Sequence, residues 1–295
     1  PVKKTKKNIY LMGFIEKQNT IVDSPNEVLT NQSLDLFPKI NPPTWKNWVI
    51  FWLMLLLTIG TTFLAGGWLF SISLIAILGC HEFGHYYASC KNKVRSTLPF
   101  FVPAPPVFIA GTFGAFMHIK DPIPNRGVLL EIGVAGPIAG FIVAIPTLII
   151  GLYFSQVSYV PGFSGVSYGS SIVLTLFSEW VLGVNPVSPN INIHLHPMAF
   201  AGWIGMFLTG LNLLPIGQLD GGHIVYSLFR KRYKFVWIAF FSCLWPLGLF
   251  WNGWWFWAGL IALFGFRSAP VLDESLPLGR KHIILGYIAV IIFIL

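Results

Sequence analysis

Charge is what this chain has least of. Only 10% of its 295 residues are charged while 55% are hydrophobic, and the mean hydropathy is +0.69. That scarcity excludes an ordinary soluble domain, in which about a quarter of residues are charged, and makes the lipid bilayer the main solvent. Acidic residues number 11 against 19 Lys and Arg, giving a net charge of +8. Such a surplus would ordinarily suggest nucleic acid, but the basic residues stand at the borders of apolar runs, where they act as topology signals. No nucleic-acid partner is expected. Three cysteines, Cys80, Cys90 and Cys243, are few, widely spaced and set in or beside apolar runs. This placement excludes a disulfide framework and a thiolate metal site. An apolar core near Pro1 is also missing, so a secretory signal peptide is not expected.

The apolar runs come next. Residues 1–46 are polar, with Lys3, Lys4, Lys6 and Lys7 early and Pro42-Pro43 late, and read as a soluble lead-in segment. A run at 48–64 is broken by Gly66-Gly67 and followed by another at 68–90, which predicts a hairpin of two spans. A third run covers 128–154, a fourth 198–214, and two more lie at 235–250 and 254–266. The last, 282–295, is too short to cross fully, so it is either an incomplete span or a piece that dips into the bilayer. An amphipathic helix is expected at 172–182, and a re-entrant or β-hairpin-like segment near 98–118. The fold class is therefore an all-α polytopic membrane protein with about six to seven transmembrane helices in residues 47–295. Residues 151–229 contain no Lys or Arg, whereas 91–95, 120–126, 230–234 and 267–281 are basic. These basic clusters all fall on one, cytosol-equivalent side in a consistent alternation of spans.

Within the second span stands His81-Glu82-Phe83-Gly84-His85. On a helix this H-E-x-x-H spacing puts two imidazoles on one face a turn apart, where they can grip one zinc ion, with the glutamate placed to take a proton from water. Chance would give the pattern about once in three hundred such sequences. Its position argues harder, because a charged residue near a span centre costs roughly 2.5–3.5 kcal/mol. The bland alternative is a satisfied polar network between helices. Catalytic zinc usually takes three protein ligands, and Asp220 is the best candidate for the third: the fourth span runs in the same direction as the second and is broken by Pro215 and Gly217. Asp220 could otherwise be a helix N-cap. Two carboxylates, Glu82 and Asp220, brought close without Lys or Arg on either span call for a cation. His118, His194, His196 and His282 read as solvated or interfacial side chains. His223 reads as a supporting contact.

HEFGH in one span and N-x-x-P-x-x-x-x-D-G-G, from Asn212 to Gly222, in a later one together resemble the site-2 protease family of intramembrane zinc metalloproteases. Glu131 to Gly140, EIGVAGPIAG, is similar to the family's Gly-Pro motif, although small residues there also serve close helix packing. The resemblance covers about residues 50–232. It implies one Zn2+ held by His81, His85 and Asp220, with Glu82 as general base. It also implies substrate-positioning roles for Asn212 and for the Gly111-Thr112-Phe113-Gly114 stretch, here Phe113 and Gly114. Gly217 departs from a common version, where a second proline stands. The chain looks closest to bacterial, cyanobacterial and plastid-type members without PDZ or CBS modules. Its expected substrates are transmembrane-helix proteins in the lipid bilayer, cut within or near their spans. The expected location is a bacterial inner membrane, or alternatively a plastid membrane, with the active site toward the cytosolic side. A silent homologue that binds helices without cutting them, and a metal or solute transporter, are the rival classes. Glu82 argues against the first, and the lack of a repeated half argues against the second.

Overall fold

The computed structural model describes residues 44–105, 108–159, 171–188, 190–250, 253–264 and 271–295. The expected lead-in segment therefore lies almost wholly outside the described residues. Helix α1 spans Trp45–Lys91 and is broken at Gly67, whose φ of +80° is open to glycine at no steric cost. Its two halves fold back on each other: Thr62 Oγ1 lies 2.6 Å from Ser71 Oγ, and Ser71 Oγ donates to the Ile59 carbonyl at 3.2 Å. In a straight helix residues 59 and 71 would stand about 18 Å apart. The hairpin of two spans expected from the glycine pair is therefore present.

Strands β1 (Phe100–Pro103) and β2 (Thr112–Phe116) form an antiparallel pair, so the hairpin-like segment near 98–118 is a real one. β3 (Ile123–Asn125) leads into α2, Arg126–Tyr153, with Asn125 as N-cap accepting from the Val128 N–H at 3.0 Å. β4 (Gln156–Tyr159), α3 (Ile172–Leu182), β5 (Ile191–His194) and α4 (Pro197–Asn212) follow. Then come α5 (Asp220–Phe229), a 3-10 turn at Arg230–Arg232, α6 (Tyr233–Leu247), α7 (Gly253–Phe264), β6 (Val271–Asp273) and α8 (Arg280–Ile294). β4 pairs antiparallel with β5, and β3 pairs parallel with β6.

The protein is mostly helical rather than all-α, because three two-stranded pairs punctuate the helices. Among the described residues, two helices are long and apolar enough to cross a membrane, α1 and α2, against the six or seven spans expected. α1 holds two of the expected spans. Its halves on either side of Gly67 each exceed the roughly 20 residues a crossing needs. The remaining helices, α3 to α8, run from 10 to 16 residues.

The centre is built from the second half of α1, α2 and α4, drawn together by glycines. A Cβ on Gly84 would overlap the Ala135 carbonyl, and one on Gly151 would overlap Ala199. Such close approach substitutes for the hydrophobic drive that lipid removes. Phe70, Leu74, Leu78, Phe101, Ala201 and Ile204 form one buried cluster, which fastens β1 to α1 and α4. Trp48, Trp52, Leu53, Leu56 and Phe63, on the first half of α1, are exposed, as lipid-facing side chains are.

Candidate metal centre

Helix α1 delivers His81, Glu82 and His85 into the interior, where they are 2%, 4% and 6% exposed. The Nε2 atoms of His81 and His85 each lie 3.2 Å from Asp220 Oδ2. Ligand atoms of the three residues fall within 4.8 Å of one another. Atoms about 2.0–2.1 Å from a tetrahedral zinc stand about 3.3–3.4 Å apart, so the donor set fits that ion. His85 is oriented from behind: Nδ1 donates to the Ile132 carbonyl at 2.7 Å, which leaves the Nε2 lone pair facing Asp220. Glu82, which stands between the two histidines in sequence, has its Oε2 buried with no protein hydrogen-bond partner. A buried carboxylate oxygen without a partner is costly unless water or a cation answers it.

The local sequence explains how Asp220 reaches that point. After α4 ends, the chain turns tightly, with Ile216 N–H donating to Leu214 O at 2.7 Å and Leu219 N–H to Ile216 O at 2.9 Å. A Cβ on Gly221 would strike Leu213 O, and one on Gly222 would meet Ile216 O. The glycine pair therefore seats the start of α5 directly on this turn. Asp220 is the first residue of α5. The N-cap is Leu219, which makes no side-chain cap bond. The capping alternative is thus excluded.

On α2, glycines make room for the imidazoles. A Cβ on Gly136 would overlap the His85 ring, and one on Gly140 would lie 3.1 Å from His81 Nδ1. The EIGVAGPIAG stretch therefore shapes the site itself as well as the packing. Asn212, at the end of α4, places Nδ2 3.4 Å from His81 Nε2. A cleft of about 140 Å³ opens here, lined by His81, Glu82, His85, Asp220 and Asn212 together with Ala115 and Phe116 at the end of β2, Met117 just beyond it, and Gln218 and His223. Phe113 and Gly114 are not among its lining residues; Phe113 is 58% exposed, and its ring lies tilted against that of Phe108, with centroids 4.9 Å apart. The part of β2 that reaches the cleft thus lies just beyond the stretch singled out from sequence. The strand's own alternation could have shown which residues turn inward only if its partner had been known.

The other histidines divide. His194 is exposed, and its Nε2 lies 3.2 Å from Asn192 Nδ2. His196 caps α4 by accepting from the Met198 N–H. His282, expected to be solvated, is instead held on both sides: Gly279 N–H donates to Nδ1 at 3.1 Å, so Nε2 carries the proton and donates to Glu131 Oε1 at 3.2 Å. The reason is the docking of α8 on α2, which the sequence did not reveal. Arg126, grouped with the basic border residues, is buried and donates to the carbonyls of Ser227, Glu274 and Leu276.

Two imidazoles and a carboxylate around one point, with a buried, unpartnered carboxylate oxygen beside them in an apolar helical protein, make up a candidate metal centre with a candidate base next to it. The chain belongs to peptidase family M50, whose model matches residues 69–243. It is 32% identical over 166 residues to the probable zinc metalloprotease EGY1, chloroplastic, of Arabidopsis thaliana, covering 54% of this chain and 29% of that protein. It is 30% identical over 229 residues to the probable zinc metalloprotease EGY2, chloroplastic, of the same organism, covering 74% of this chain and 39% of that one. The chain thus spans well under half the length of these curated relatives. A site-2 protease from Methanocaldococcus jannaschii aligns over 83% of this chain and 85% of its own at 20% identity, with a TM-score of 0.34, too loose a likeness to carry weight.

Proposed function

We propose that this protein is an intramembrane zinc metalloprotease that hydrolyses peptide bonds within or near the transmembrane segments of membrane-protein substrates. The convergence of His81, His85 and Asp220 beside the unpartnered Glu82 carboxyl is the observation that carries it. His81, His85 and Asp220 would hold the ion, and zinc bound there would make water more acidic and polarise a carbonyl. Glu82 takes a proton from the attacking water on a carboxylate oxygen and returns it to the leaving amine nitrogen. His85 keeps its ring fixed through Ile132, and Asn212 offers an amide donor beside His81.

A helical substrate hides its peptide bonds, so it must unwind to be cut. β2 is paired along one edge, with β1, and its continuation lines the cleft. The unwound substrate adds along the other edge of β2, past Phe113 and Gly114, as an extra strand leading to Glu82. The chloroplastic relatives favour a plastid membrane over a bacterial inner membrane, with the site toward the basic side.

Reconstitution with a single-pass substrate tests the proposal. Glu82→Gln should lower cleavage by about a hundredfold or more while keeping stoichiometric zinc. Wild-type cleavage by that variant would end the mechanism. Full zinc content in both His81→Ala and Asp220→Ala would end the ligand assignment.

A further inference from the structure

The ionisable side chains lining the cleft are His81, Glu82, His85, Asp220 and His223. Four of them have parts in the chemistry just described, and His223 has none. It is not among the residues whose ligand atoms converge. It follows Asp220 by three residues on α5, so the two project from one face of the helix a turn apart. Its backbone is locked in regular turns: its N–H donates to Leu219 O at 3.1 Å, and its carbonyl accepts from Ser227 Oγ at 2.8 Å. Ile224 and Ser227 beside it are buried, whereas His223 keeps part of its surface open. Across from it, a Cβ on Gly133 would stand 3.5 Å from both the His223 Cβ and the Asp220 carbonyl oxygen. α2 thus supports this face of α5 without crowding it.

We propose that His223 is a further catalytic residue, whose imidazole N–H donates a hydrogen bond to the oxygen of the carbonyl under attack. This rests on the proteolytic function proposed above. As the water oxygen bonds to the carbonyl carbon, the π pair moves onto the carbonyl oxygen, and the water proton goes to Glu82. The carbonyl oxygen becomes anionic at that moment and needs a fixed donor. On collapse the pair re-forms the carbonyl, the C–N bond breaks, and the amine nitrogen takes its proton from Glu82. His223 transfers no proton. It acts as a neutral donor from the α5 side, while Asn212 offers its amide from the α4 side.

The test compares His223→Ala, His223→Gln and Glu82→Gln in the full zinc-loaded chain with a single-pass substrate. His223→Ala should lower kcat about a hundredfold with KM and zinc stoichiometry unchanged. His223→Gln, which keeps an N–H donor, should recover most of that loss. A phosphinic peptide, which mimics the tetrahedral carbon, should bind His223→Ala more weakly by a similar factor. A kcat for His223→Ala within about twofold of wild type would overturn the role. So would a loss of kcat matched by a loss of zinc, or unchanged binding of the phosphinic peptide. Should the alanine variant not fold, the glutamine variant and the phosphinic peptide decide by the same criteria. Wild-type cleavage by Glu82→Gln would end the role of Glu82 alone, whereas no cleavage by the wild-type zinc-loaded chain would remove the proteolytic function itself, and His223 with it.

Discussion

At Gly136 the helix backbone of α2 comes so close to His85 that a methyl group would occupy the imidazole's place. Gly133, one turn earlier, faces ordinary van der Waals space, with its nearest neighbour at 3.4 Å. These two glycines stand in one motif and should behave oppositely. Gly136→Ala should displace His85 and weaken zinc binding about 10–100-fold, as loss of ligand orientation does, whereas Gly133→Ala should bind zinc as wild type does. Competition with a chelator, followed by metal analysis, measures both. The convergence of His81 and His85 was legible because H-E-x-x-H carries its own geometry, and that of Asp220 because the Pro215 and Gly217 break lets the chain turn toward them. The roles of Gly136, Gly140 and Ile132 were not, because each acts on a residue about fifty positions away, and only the packing of α1 on α2 brings them together. His282 was hidden for the same reason: its partner Glu131 is 151 residues distant.

Elements were legible where their period or length was sufficient. The run expected at 172–182 is helix α3, and the run at 128–154 is α2 to within two residues. Strands β3 and β6 were invisible, since three residues define no period and their pairing spans nearly 150 positions. Breaks in elements carry their own predictions. At Gly67 a Cβ would meet nothing, but φ of +80° with ψ of −178° is a conformation open essentially to glycine alone, so Gly67→Ala should cost about 1–3 kcal/mol, read as a lowered unfolding temperature in detergent. The β1–β2 hairpin is closed at its base by the Ser96–Ile119 bridge and by Lys120 N–H donating to Arg95 O at 2.8 Å. Arg95 clamps this base through Asp121, with Nε to Oδ1 at 2.8 Å. The Arg95 guanidinium's hydrogen bonds hold the Asp121 carboxyl below its ordinary value of 3.8, with Lys120 adding to the effect. A depressed carboxyl contributes stability that is complete above its unfolded value and is lost as the pH falls through the folded one. Protection of the Thr97 and Lys120 amides, taken relative to their intrinsic exchange rates, should therefore fall on acidification in that range. In Asp121→Asn the same amides should exchange faster at neutral pH and lose the acid step; an unchanged acid step in that variant would remove Asp121 as its cause.

For the molecule as a whole, the depth of the site and its ties to α8 matter together. Glu131, next to the carbonyl that orients His85, accepts from Asn92 at the end of α1 at 3.1 Å and pairs with Lys281 and His282 of α8. Gly286 of α8 lies against Leu228 of α5, the helix that begins with Asp220. The metal centre is thus gathered at the end of the bundle where α1 finishes at Lys91 and α8 starts at Arg280. His81 stands ten residues before Lys91, about 15 Å along the helix, and farther, about 20 Å, from Gly67. In the proposed orientation these distances put the site a few Å from the middle of a hydrocarbon core of about 30 Å, on its basic side. A substrate crossing beside β2 should be cut in the half of its span nearest that side. Mass spectrometry of the products from a reconstituted single-pass substrate fixes the scissile bond. Moving the susceptible sequence one turn, about 5.4 Å, toward the opposite side should slow cleavage, because a strand added to β2 would carry the bond past Glu82. Cleavage mapped to the far half of the substrate span would place Glu82 at the wrong depth and overturn the orientation drawn from the basic clusters.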